Sequence, residues 1–268
     1  MRKLWLGLAI GTAVVGTAGS ALADGMPQYG RSYARDCANF SGLYVGANVG
    51  GVYYTPNLED RNNFVSFPFS IGGTTTYSGT DAGVSGGVQA GYNFQRHCTV
   101  FGLEADWSWT DAHVQSLAHP NFLGAPTAVG TVDGNLHSFA TLRTRTGVVV
   151  DRTLLYVTGG IAWLDARHSV SNVFPGLATE AFRIGDNGRW GWVGGFGTEF
   201  ALSSNISIKS EALYMTTADS DDRVATSAVI NRCTTTGSIC DFKTSDSAWV
   251  ARIGLNFRFG GGDVGPMK

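Results

Sequence analysis

The chain has 268 residues, 37 of them glycine and only 7 proline, with 15% charged and 12% aromatic residues. Glycine stands at about twice its usual share of ~7%, but no three-residue period accompanies it, so collagen is excluded, and the aromatic content excludes intrinsic disorder. A formal charge of −2 excludes the broad basic field on which nucleic-acid binding depends.

At the amino end, Arg2 and Lys3 precede an uncharged, mostly apolar stretch from Leu4 to Gly19. Ala21-Leu22-Ala23 then has the small-x-small form of a secretory cleavage site. Residues 1–23 read as a signal peptide, short for a membrane span and without stop-transfer charges behind it. The mature chain is expected to leave the cytoplasm, for a compartment where cysteines can form lasting disulfides. Residues 24–41 are expected to be a periplasmic segment ahead of the first strand.

Beyond this point no second run is long enough for a transmembrane helix, and no segment sustains an i, i+3, i+4, i+7 rhythm. The recurring signal has period 2, and it predicts strands near 43–53, 82–94, 99–110, 138–149, 154–165, 189–202, 206–216 and 247–259. In the third, Phe101, Leu103, Ala105, Trp107 and Trp109 share one face, and Gly102, Glu104, Asp106 and Ser108 the other. In the last, Trp249, Ala251, Ile253, Leu255, Phe257 and Phe259 alternate with a second set that contains Arg252 and Arg258. Connections near 95–98, 150–153 and 203–205 are short, whereas 54–81, 111–137, 166–188 and 217–246 are long and polar and are expected to be loops. Short and long connections alternating between antiparallel strands are the pattern of an outer-membrane barrel, with short periplasmic turns and long extracellular loops.

A soluble sandwich also alternates, with its apolar face turned inward. Three features favour the reverse, one of them destination, since an exported barrel of this pattern can stay in the outer membrane. Glu104, Asp106, Arg143, Arg145, Glu199, Lys209, Glu211, Arg252 and Arg258 sit in mid-strand in the company of glycines such as Gly91, Gly102 and Gly197, which would ease crowding in a narrow closed barrel. The aromatic residues also fall into two bands. Tyr53, Trp107, Trp109, Trp163, Trp190, Trp192, Tyr214 and Trp249 lie near the long-loop ends, and Tyr92, Phe94, Phe101, Phe200, Phe257 and Phe259 near the short-turn ends, as girdles at two lipid interfaces would. The expected fold is all-β, an eight-stranded antiparallel up-and-down transmembrane barrel over residues 42–259. The nine charged groups are expected to form an inward network, since eight strands leave room for side chains and little else.

The runs Gly42-Leu43-Tyr44-Val45-Gly46-Ala47-Asn48-Val49-Gly50, Gly87-Val88-Gln89-Ala90-Gly91-Tyr92-Asn93-Phe94 and Leu142 to Trp163, with Arg252-Ile253-Gly254-Leu255-Asn256-Phe257-Arg258-Phe259, resemble alphaproteobacterial outer-membrane β-barrels of the porin-family and opacity-type surface antigens. The resemblance covers the mature chain apart from the long connections. It implies an OmpA/OmpX-type barrel acting as an abundant envelope component, and it carries over no active site. One departure is the tail, residues 260–268, where that family commonly ends on an aromatic residue.

Cys37 precedes the first strand and Cys98 lies in the first short turn; Cys233 and Cys240 share one long connection. Of three pairings, 37–98 and 233–240 fit this topology. The histidines at 97, 113, 119, 137 and 168 fall in or beside connections and are expected to be solvated, with no cofactor or metal site. His137-Ser138 and His168-Ser169 point to opposite faces of a strand, which disfavours either as a hydrolytic pair, and no catalytic group is assigned. The function read from the sequence is a structural and surface-exposed outer-membrane barrel with a filled lumen. Its expected partners are outer-membrane lipid, lipopolysaccharide, the barrel-assembly machinery, and host or cell-surface ligands met through the loops, with no nucleic acid. A small-solute porin and haem or ligand capture by the loops are the alternatives.

Overall fold

A computed structural model describes residues 37–61, 74–118, 121–122, 125–126, 129–174, 178–184, 188–225 and 239–259. The expected signal peptide, most of the segment 24–41, the tail 260–268, His119 and Cys233 lie outside the described residues. The strands are β1 (Gly42–Asp60), β2 (Thr75–Ser78), β3 (Asp81–Arg96), β4 (Thr99–Ala118), β5 (Asn121–Phe122), β6 (Ala125–Pro126), β7 (Val129–Val150), β8 (Thr153–Phe174), β9 (Ala178–Ile184), β10 (Arg189–Ala201), β11 (Ile206–Thr217), β12 (Ser220–Ala225) and β13 (Ile239–Arg258).

Eight of them form the wall. In the order β1, β3, β4, β7, β8, β10, β11, β13, each pairs antiparallel with the next, and β13 returns to β1 from Tyr44↔Arg258 to Asp60↔Phe242. Closure leaves no free edge in this ring, the condition for backbone N–H and C=O groups to survive in hydrocarbon. Two of the short turns hold two residues each, His97-Cys98 and Asp151-Arg152. His97 and Asp151 take left-handed φ values of 56° and 54°, a region in which His and Asp are enriched among residues other than glycine.

Most of the staves are far longer than the sequence reading expects. About 9–11 residues cross a bilayer, yet β1, β4, β7, β8 and β13 have 19, 20, 22, 22 and 20 residues. Much of 54–81, 111–137, 166–188 and 217–246 is therefore strand, a correction to the expected loops. The reason lies in the side chains. On β13 the outward residues pass from Phe257, Leu255, Ile253 and Ala251 through Trp249 to Ser247, Ser245, Lys243 and Asp241, while the inward ones pass from Arg258, Asn256 and Arg252 to Val250, Ala248 and Phe242. The backbone keeps its period of 2, but the apolar class changes faces at Trp249. β1 does the same after Tyr53, where Val52, Tyr54 and Leu58 are buried and Thr55, Asn57 and Glu59 face out, and β8 does so near Trp163, with Leu164, Ala166 and Val170 inward. Below the girdle the barrel is turned inside out; above it the strands have the ordinary polarity of a soluble sheet.

The upper part also changes architecture. β3, β10 and β11 resume as β2, β9 and β12 against the same neighbours, β1, β8 and β13, whereas the pairing of β3 with β4 ends at Ser85↔Thr110 and that of β10 with β11 at Gly191↔Thr217. Beyond those two seams the wall divides into two sheets, β2–β1–β13–β12 and β4–β7–β8–β9. Leu58, Tyr77 and Phe242 of the first pack with Val132, Val170 and Ile184 of the second, which makes a small sandwich core beyond the level of Trp249. β-Bulges mark the transition. The register shifts between Trp109 and Ala112 on β4 and between Leu136 and Ser138 on β7, and Ser138 and Phe139 are both buried there as a result.

Candidate functional site

The interior is built in three storeys, and the lowest is a floor. Residues 37–41 cross the short-turn mouth, tied by the disulfide between Cys37 and Cys98, whose Cα atoms are 5.6 Å apart. Phe40 is fully buried among Val100, Val149, Leu154, Tyr156 and Ala201. The guanidinium of Arg258 lies 4.8 Å over its ring and donates to the carbonyl of Asn39. Arg258, expected within the charge network, stands apart from it as a correction: it makes no ion pair among the described residues. Its place on the last inward position of β13 puts it in the floor, below the carboxylates.

The middle storey is ionic. Four carboxylates, Glu104, Asp106, Glu199 and Glu211, meet four cations, Arg143, Arg145, Lys209 and Arg252. Arg143 pairs with Glu104, with Asp106 at 2.9 Å and with Glu211 at 2.9 Å. Arg252 reaches Asp106 at 2.9 Å and Glu211 at 2.7 Å from the opposite side of the ring. Lys209 Nζ is 2.8 Å from Glu104, and Arg145 is 2.9 Å from Glu199. Period 2 places all eight inward, and closure brings β4, β7, β10, β11 and β13 within side-chain reach of one another. The orientation is sharp along a single strand, where Arg252 is 2% exposed and Ile253, next to it, 56%.

Tyrosine hydroxyls complete this layer, Tyr44 donating to Glu104 and Tyr156 to Glu211 at 3.1 Å, while the guanidinium of Arg145 sits 4.7 and 5.2 Å from the two ring centres. Glycine makes the room. The Tyr156 hydroxyl lies 2.6 Å from where a Cβ on Gly197 would stand, and the Tyr44 ring covers Gly91 in the same way. Arg forks that bind two carboxylates at once suit such a layer. The equal count of charges leaves no net charge held away from water, the condition under which a buried ionic cluster is tolerable.

The upper storey is apolar, with Val52, Leu136, Phe139, Leu164, Leu213, Met215 and Val250 among its members. It encloses a polar clasp that the sequence reading misses. Asp246 on β13 accepts from the Tyr54 hydroxyl at 2.6 Å and meets His168 Nε2 at 3.0 Å, with Arg189 at 3.8 Å. Arg189 in turn donates to Asp222 at 2.8 Å. His168 is 1% exposed, which corrects the expectation of a solvated loop histidine. It lies inward on β8, four residues past Leu164 on the same face. Its Nδ1 has no hydrogen-bond partner among the described residues. The signal was available in the inward parity carried back from Arg252 through Val250 and Ala248 to Asp246.

Tyr53, Trp107, Trp109, Trp190, Trp192, Tyr214 and Trp249 are exposed on the outer wall, and Trp163 is half-buried against Trp107 at 5.5 Å. Tyr92, Phe94, Phe101, Phe200, Phe257 and Phe259 are exposed toward the short-turn end. His97 is exposed in its turn, His113 is exposed and bonded to Asn135, and His137 is exposed while Ser138 is buried. Cys240 is buried and disulfide-bonded. Among the described residues no three His, Cys, Asp or Glu side chains are set to hold a metal ion.

A closed up-and-down ring with an apolar belt between aromatic bands and an ionic interior defines a transmembrane β-barrel. Residues 10–259 match the outer membrane protein beta-barrel domain family, and the chain belongs to it. It is 31% identical over 198 residues to the 31 kDa outer-membrane immunogenic proteins of Brucella melitensis biotype 1 and Brucella suis biovar 1, covering 67% of this chain and 72% of each relative. Its place is the outer membrane. Among solved structures it is similar to the outer membrane protein OprG of Pseudomonas aeruginosa, at 12% identity, 82% and 96% coverage and a TM-score of 0.43. It is also similar to the outer membrane protease OmpT of Escherichia coli, at 7%, 81%, 97% and 0.49.

Proposed function

We propose that the protein is a closed structural barrel of the outer membrane, which anchors a two-sheet surface module and passes no solute through its lumen. The observation that carries this reading is the ionic storey. Eight charged side chains, each nine-tenths or more buried, span the interior between a floor that seals on Phe40 and an apolar core above. An ion moving along the axis would have to displace Arg143 from three carboxylates or Arg252 from two. An open aqueous lumen normally belongs to far larger barrels.

Lipid and lipopolysaccharide are its proposed neighbours, along the belt and the outer girdle, and the assembly machinery is the proposed agent that brings β13 to β1. The upper sheets would face outward, so that Thr55, Asn57, Glu59, Ser245, Lys243 and their neighbours form the surface offered to other cells. Recording from purified protein in planar bilayers tests the reading. A silent membrane is expected after verified insertion, and reproducible single-channel steps would replace the structural role with a porin.

A further inference from the structure

Residues 37–41 touch several sides of the short-turn mouth while belonging to no strand apart from their junction with β1. Ala38 N–H donates to the Asp151 carbonyl at 2.8 Å; Gln95 accepts from Phe40 N–H at 2.6 Å and donates to the Ala38 carbonyl at 3.0 Å. Asn93 donates to the Phe40 carbonyl at 2.9 Å and accepts from Arg145 Nε at 2.8 Å, so one side-chain amide joins the floor to the ionic storey. Against these bonds, the Arg258 contacts with Asn39 and Phe40 and the burial of Ala38 and Phe40 stands the conformational entropy of five residues held across an opening. The covalent link, Cys37 to Cys98, spans 61 residues of chain, and both cysteines are only half-buried at the rim.

We propose that residues 37–41 are a redox-latched stopper: the disulfide holds Phe40 in the mouth, and its reduction lets the segment leave and admits water to the Arg145–Glu199 end of the ionic storey. The wall does not depend on the latch, because the ladder from Tyr44↔Arg258 to Asp60↔Phe242 closes the ring without it. The chemistry is thiol–disulfide exchange with a dithiol. One of its thiolates attacks a cysteine sulfur, the S–S bond breaks, and the other cysteine leaves as a thiolate that takes up a proton. The second thiol of the reductant then displaces the mixed disulfide, which gives two protein thiols and an oxidised cyclic reductant. A disulfide donor runs the exchange backward. The proposal goes beyond the closed-lumen reading, and its test reads backbone exchange rather than current, so either can fail alone.

Hydrogen exchange followed by mass spectrometry on the full chain in detergent micelles provides that test. It compares the oxidised protein with the Cys37→Ser/Cys98→Ser variant and with oxidised-then-dithiol-reduced protein, the last in case the variant does not fold. Amides of Ala38 and Phe40 should exchange at least about tenfold faster without the latch, as an opening of local rather than global stability does, while peptides from the stretches of β1 and β13 remote from Cys240, Tyr44–Tyr54 and Ala248–Arg258, keep their protection. Unchanged protection at Ala38 and Phe40 would overturn the proposal. So would loss of protection throughout the wall, which would make the bond a staple of the barrel rather than of its stopper.

Discussion

Arg143 touches three carboxylates and is almost wholly buried, so its removal leaves negative charge stranded in a dry interior. Breaking a buried pair by deleting one partner costs about 3–5 kcal/mol. Arg143→Met is expected to lower the unfolding free energy by about that amount in urea titrations of the lipid-inserted protein, whereas Arg258→Met, which strands no carboxylate, should cost less. The clasp has a different weakness. Tyr54→Phe removes one donor from Asp246 and should cost about 1–3 kcal/mol. In an Asp246→Asn background the same change should cost measurably less, since contacting groups are not additive. Equal costs in the two backgrounds would show that Tyr54 acts through packing alone.

At the level of the strand, the exchange of polarity at the girdle makes one face of β13 respond differently to the same substituent. Ile253→Arg puts a charge against hydrocarbon and should cost about 2–4 kcal/mol near mid-depth, but Ser245→Arg, eight residues away on the same outward face, should stay within about 0.5 kcal/mol. Folding titrations into lipid vesicles distinguish the two, and equal penalties would place the girdle elsewhere than Trp249. The same exchange explains which parts of the fold were legible. Between the girdles, Ile253 against Arg252 or Leu103 against Glu104 gives an unbroken alternation, and the eight strands, their turns and the inward charges follow from it. Above Trp249 the alternation persists with its sense reversed, and Thr, Ser, Asn and Asp on the outward face mimic loop composition. Asp246 and His168 were lost for that reason. The bulges at Trp109–Ala112 and Leu136–Ser138 add a slip of one residue that composition does not announce.

At the largest scale, the described residues form a short inverted barrel that continues into a small sandwich, so the strands that replace the expected loops should be far less open to proteases than loops would be. Arg167 illustrates this. It lies in β8 with Asn135 of β7 beside it, exposed at its side chain but held at its backbone. Trypsin added to intact cells is expected to leave the bond after Arg167 uncut, and rapid cleavage there would mean that the upper sheets open readily. The place where the two polarities meet also sets how deep the molecule sits. Raising it by a single residue pair would lift the Trp249 ring clear of the headgroups, and lowering it by the same step would drag Ser247 and Thr55 into oil. The protein thus carries its own waterline, drawn around the wall by a change of side-chain sequence.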